Sequence, residues 1–160
     1  IRRRLTRKHL LHKNNPEHYE DYKEEQPEEK RQQRKNLAAD KIRAQISTGL
    51  SQFEERKAYM SPKVTLATLA RELDTNPVYL SQVINTEKQM NFNAYLAQLR
   101  ITQITQQLHE DPALLKYKIE TLARSCGMTR KHFSTKFQDI NGILPQEFIE
   151  RLKQTDKKVE

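Results

Sequence analysis

Two sets of side chains, 53 positions apart, have the composition of a surface that reads hydrogen-bonding edges. Val78, Ser81, Gln82 and Asn85 form the first; Arg130, Lys131, Ser134 and Thr135, with His132 beside them, form the second. Ser, Thr and Gln both donate and accept hydrogen bonds, Arg and Lys reach guanine edges or phosphate, and a small apolar group such as Val78 can touch a thymine methyl. The chemistry on offer is recognition, with no bond making or breaking.

These side chains occupy matching places because the chain contains one unit written twice. TLATLARELDTNPVYLSQVIN (65–85) aligns without a gap to KIETLARSCGMTRKHFSTKFQ (118–138), with Thr68-Leu69-Ala70-Arg71 repeated as Thr121-Leu122-Ala123-Arg124 and Ser81 as Ser134. Apolar character is kept at Leu66/Ile119, Leu73/Cys126, Leu80/Phe133 and Ile84/Phe137, and the register runs on to Tyr95-Leu96 over Phe148-Ile149. A repeat of this kind is one supersecondary unit that neighbouring segments must complete. Within each copy the apolar spacing spells helix, tight turn, helix. Leu66, Leu69, Ala70 and Leu73 share one helical face. Asn76 is a good N-cap and Pro77 suits the first helical position, so a second helix starts there and turns Leu80, Val83 and Ile84 inward. In the second copy Gly127 suits the turn, where positive φ costs glycine least, and Thr129 is the matching cap.

Helix, short turn, helix is the pattern of the DNA-binding helix-turn-helix, whose second helix lays its N-terminal half against base edges. Two amphipathic helices of any all-α protein would also carry solvated polar residues on their outer faces. The second gapless copy argues against that plain alternative.

LATLARELDTNPVYLSQVIN with NFNAYLAQLRI, and IETLARSCGMTRKHFSTKF with NGILPQEFI, together resemble the DNA-binding domain of AraC/XylS-type transcription regulators, over roughly residues 60–153. Asp74 stands where that family usually has glycine, and Leu144 where it usually has threonine. The resemblance implies an all-α fold of two helix-turn-helix subdomains (about 60–91 and 112–153) joined by a linker helix (about 92–110). Carried over by position, it assigns base contacts to Val78, Ser81, Gln82, Lys131, His132, Ser134 and Thr135. Tyr79 and Arg130 become DNA-backbone or positioning residues, and Arg100 a structural or backbone-contacting one. The implied partner is double-stranded DNA, with RNA polymerase and an upstream sensor domain as the other partners of such a regulator.

The stretch between the copies fits that arrangement on its own terms. From Phe92 to His109 there is no Gly or Pro, and the apolar stripe passes from Phe92, Tyr95, Leu96 and Leu99 to Ile101, Ile104 and Leu108. One end is thus expected to pack on each subdomain. At 1.5 Å per residue such a helix is about 27 Å long, near the roughly 34 Å between successive major-groove faces.

Upstream, Ile42, Ile46, Leu50 and Phe53 form one stripe on a charged segment, predicting an amphipathic connecting helix over 33–59. It either packs on the first subdomain or serves signal transmission or a homodimer; Gly49 weakens it as a coiled coil. Residues 1–32 are charge-dense and block-patterned, expected to be a disordered or juxtamembrane tether. Six Lys/Arg and no acid lie in 1–13, as on the cytoplasmic flank of a membrane span, and seven acids against two lysines lie in 14–30. An arbitrary boundary in a soluble protein would look the same. The expected compartment is the cytoplasm, either free or as the cytoplasmic part of an inner-membrane protein.

The net charge of +8 over 160 residues fits a polyanionic partner, but its uneven placement leaves the repeat as the stronger argument. Cys126, the one cysteine, sits at an apolar position of the unit and is expected in the core. There is no metal-spaced Cys/His cluster, no glycine-rich phosphate loop and no HExxH or GxSxG, so the sequence points to no enzyme, metal or cofactor. A helical protein-interaction module of a signalling protein is the rival reading.

Overall fold

A computed structural model of the chain describes residues 28–156, which contain seven α-helices and no strand. The proposed tether lies mostly outside the described residues. The helices are α1 (Glu28–Glu55), α2 (Leu66–Glu72), α3 (Pro77–Lys88), α4 (Phe92–Glu110), α5 (Ile119–Ser125), α6 (Arg130–Asn141) and α7 (Pro145–Asp156), with 3-10 turns at Ala58–Met60 and Pro112–Lys116. The amphipathic helix thus starts five residues before the expected position and stops at Glu55, where Lys57 turns left-handed at φ 52°.

Two apolar cores form, and α4 contributes to both. Phe92, Tyr95 and Leu96 join Leu69, Leu80 and Ile84 in the first; Ile101, Ile104 and Leu108 join Leu122, Phe133 and Phe137 in the second. The drift of the stripe round α4 is what allows this, since a straight helix buries different faces at its two ends. With 19 residues, α4 is about 28 Å long. Phe133, Phe137, Phe148 and His109 make successive ring contacts at 5.2–5.7 Å between centroids in the second core, while Phe53 and Tyr59 meet edge-on at 6.1 Å in the first.

The stripe on α1 is spent on the first core. Ile46, Leu50 and Phe53 are fully or almost fully buried there and Ile42 packs on its margin. Each such side chain contributes about 1.5–3 kcal/mol. Gly49 has a reason beyond propensity. A Cβ there would lie 2.5 Å from Leu73 Cδ2, so the missing side chain is the socket that seats Leu73. Polar ties flank this contact. Gln45 donates to the Leu73 carbonyl at 3.0 Å, Ser47 donates to Glu87, and Glu54 Oε1 accepts from both Lys88 Nζ (2.8 Å) and Tyr95 OH (2.7 Å). Burial pushes the Glu54 carboxyl up, but the bonds from Lys88 and Tyr95 and the Lys88 charge outweigh it, leaving the pKa lowered.

Between the two cores runs a strap, Tyr59–Pro62. Arg100, 6% exposed, donates from Nε to the Tyr59 carbonyl at 2.6 Å and from Nη2 to the Ser61 carbonyl at 2.7 Å, while Tyr59 OH donates to the buried Gln103 at 3.3 Å. On its other side the strap meets the second turn, where a Cβ on Gly127 would lie 3.0 Å from Pro62 Cα. The subdomains are therefore held by α4 and by a backbone segment wedged beside it.

Candidate nucleic-acid interface

The two copies build the same backbone. Asn76 Oδ1 caps α3 by accepting from the Tyr79 N–H at 2.9 Å, and Thr129 Oγ1 caps α6 by accepting from the His132 N–H at 3.3 Å. Between the paired helices, Asp74 takes φ 52° and its counterpart Gly127 φ 67°; at the far end of each second helix, Gln89 takes φ 56° and its counterpart Gly142 φ 78°. Left-handed residues thus recur at the same two places whether or not glycine is present. Asp tolerates the region better than most residues, which explains a turn that forms without glycine.

These turns and caps fix what α3 and α6 present. Val78 is 65% exposed and Tyr79 49%, and Gln82 and Asn85 are exposed beside them; Leu80, Val83 and Ile84 hold the opposite face in the core. On α6, Arg130, Lys131, His132 and Thr135 are exposed over buried Phe133 and Phe137. Ser81 and Ser134 are half-buried at equivalent positions, so each offers its hydroxyl from the edge of its face. Thr135 Oγ1 donates to the Lys131 carbonyl at 3.0 Å and faces outward as an acceptor. The faces differ in charge: Glu87 and Lys88 cancel in α3, whereas Arg130, Lys131 and Lys136 outweigh Asp139 in α6.

Arg100 does not join either face. Burial lowers its guanidinium pKa, though not enough to discharge a group of such basicity, and its donors on the Tyr59 and Ser61 carbonyls make it a structural clamp. Burial likewise pushes the Cys126 thiol up to about 11, keeping it protonated inside the second core.

Residue spacing did not reveal a group of cations near the start of α6. Lys116, Lys118 and Lys153, from three different elements, come together with Arg130 around one cleft. Among the described residues there is no metal-holding cluster of His, Cys, Asp or Glu, and no helix long and apolar enough to cross a membrane.

No protein-family model matches the chain, and no curated protein matches it. Solved structures do. The C-terminal domain of AraT, a response regulator from Geobacillus stearothermophilus, is 24% identical, with 67% of this chain and 84% of that one covered at a TM-score of 0.55. A transcriptional regulator from Chromobacterium violaceum, described as having an AraC-type DNA-binding domain, is 17% identical over 69% and 94% at 0.56. The C-terminal domain of the two-component response regulator yesN from Fusobacterium nucleatum is 25% identical over 64% and 97% at 0.53. Duplicated helix-turn-helix units with matching caps and turns, a single helix shared by two cores, and these likenesses together show that the chain has the fold of AraC-type double helix-turn-helix domains.

Proposed function

We propose that the chain is the sequence-specific DNA-binding output domain of a transcription regulator, with α3 and α6 entering successive major-groove segments. The observation that carries this reading is the duplicated unit itself: two equally capped helices with exposed, hydrogen-bonding N-terminal halves, held at fixed spacing by α4 and the Arg100 clamp. In this reading Val78 meets a thymine methyl, Ser81, Gln82, Lys131, His132, Ser134 and Thr135 meet base edges, and Tyr79 and Arg130 position the helices on the sugar-phosphate backbone. An upstream input would reach the first subdomain through α1. Because the α1 stripe is already covered within one chain, we assign that helix to coupling rather than to a homodimer.

The exposed Val78–Tyr79 pair favours one other reading, a protein-interaction surface on α3. Selection of bound duplexes from a random pool separates the two. A DNA reader yields a bipartite motif whose halves lie about one helical turn apart; a protein-interaction module yields no motif.

A further inference from the structure

The duplication extends beyond the helices to a pair of clefts. One, of about 340 Å³, lies where the start of α5, the start of α6 and α7 meet; the other, of about 370 Å³, lies between the start of α2, α3 and the start of α4. Shifting the first-copy lining by 53 positions brings five of its residues onto lining residues of the second, among them Thr65 onto Lys118, Asn93 onto Gln146 and Leu96 onto Ile149. Each cleft takes a lining residue from the second helix of its pair, Ser81 of α3 in the first copy and Arg130 of α6 in the second. Their chemistry differs. The first is lined by neutral residues alone, whereas the second gathers Lys116, Lys118, Arg130 and Lys153 against two acids, Glu120 and Glu150. No ion pair among the described residues uses any of those four cations, while Glu120 is engaged with Arg124 at 3.7 Å.

We propose that the cationic cleft is a seat for the DNA sugar-phosphate backbone, with Lys116, Lys118 and Lys153 as positioning residues that neutralise phosphates flanking the groove entered by α6. The inference rests on the DNA-binding reading above and adds to it a division of labour: the second subdomain supplies most of the electrostatic affinity, while the neutral first cleft lets the backbone pass with hydrogen bonds only. Four cations outside any ion pair of the described residues, gathered in one cleft beside the start of a recognition helix, match the charge of a polyanion. A small anion would need fewer, and an apolar partner would leave them buried without counter-charge.

The test compares the parent chain with the triple variant K116Q/K118Q/K153Q on the selected duplex and on a random duplex, between 0.05 and 0.3 M salt on the order of ordinary binding buffers. Each phosphate contact contributes about 0.9 to the slope of log affinity against log salt, so removing three should flatten the slope by about 2–3. At 0.1 M the loss should be about eightfold per contact, equal on both duplexes, with base preference and melting temperature unchanged. If the parent binds DNA and the variant keeps the parent's slope, the cleft proposal is overturned and the DNA reading stands. Loss confined to the selected duplex also overturns it, by making these lysines base readers. So does an unchanged slope together with lost binding of a poly-glutamate peptide, which would assign the cleft to an acidic protein segment. A parent that binds no duplex at any salt overturns the DNA reading itself.

Discussion

The two copies of the unit share a backbone and secure it by different means. The first is locally over-determined: Thr65 and Thr68 form a reciprocal capping box, Asn91 caps α4 from the Ala94 N–H at 2.9 Å, and α1 braces α2 and α3 through Leu73, Glu87 and Lys88. In the second, Lys118 offers α5 no side-chain cap, and Leu144 stands where Asn91 stood. The second gains in return a glycine at each left-handed turn, a run of successive ring contacts and a cationic cleft. One backbone can therefore be secured by capping and bracing or by turn chemistry and packing, and the choice leaves different surface charge free for a partner.

Separating the copies should have the largest effect. Proline at Gln103, mid-way along α4, removes an intrahelical hydrogen bond and clashes with the preceding turn, at about 3 kcal/mol or more. Binding to the selected site should collapse in gel-shift titrations while circular dichroism keeps most of its helical signal. Tight binding by Gln103→Pro would mean the fixed spacing is unnecessary.

Next in size is a charge placed in the brace of the first copy. Ile46 is fully buried, so Ile46→Glu puts a carboxylate among apolar neighbours and should cost about 3 kcal/mol or more. The melting temperature should fall by more than about 10 °C, with sedimentation showing a monomer before and after. A parent dimer that dissociates in the variant at an unchanged melting point would contradict the packing of α1.

The turns offer a smaller, opposite-signed comparison. Asp74→Gly and Gln89→Gly relieve left-handed strain and should each stabilise by about 0.5–1 kcal/mol after the entropy of the unfolded glycine is subtracted. Gly127→Ala should destabilise by more than that, because it adds strain and presses on Pro62. Chemical denaturation reads all three. Equal effects in both copies would erase the distinction between them.

The smallest effect is acidic. Glu54 has a lowered folded pKa, so its contribution to stability is complete above the ordinary value of 4.5 and is lost as pH falls through the folded one. Glu54→Gln should therefore flatten the fall of melting temperature below about pH 4.5. An acid limb identical to the parent's would remove Glu54 from the brace.

The helices, their caps and the shared linker were legible in the sequence because each rests on local rules: a 3.6-residue period, Asn76 before Pro77, and a stripe that changes face along Phe92–Leu108. The duplication added a second copy of the helix-turn-helix period and of the cap on its second helix, Thr129 matching Asn76. What the sequence hid depends on contacts between distant segments. Gly49 reads as a weak point in a helix until Leu73 is seen in its socket, and Arg100 reads as a phosphate ligand as easily as a clamp until the Tyr59 and Ser61 carbonyls are found on it. Lys116, Lys118 and Lys153 are scattered in sequence and converge only through the fold. Even so, the offset of 53 could have shown that the second cleft had a neutral twin.

Reading of DNA by both copies is the central claim, and base preference measured on the selected site for Gln82→Ala and Lys131→Ala tests it most directly. Each should cost about 1–3 kcal/mol and relax one or two base positions, and the two sets of positions should lie about one helical turn apart. Uniform weakening on every sequence would reduce these residues to phosphate contacts. Relaxation at overlapping positions would contradict the account, since one groove segment cannot be read by two helices held apart on α4.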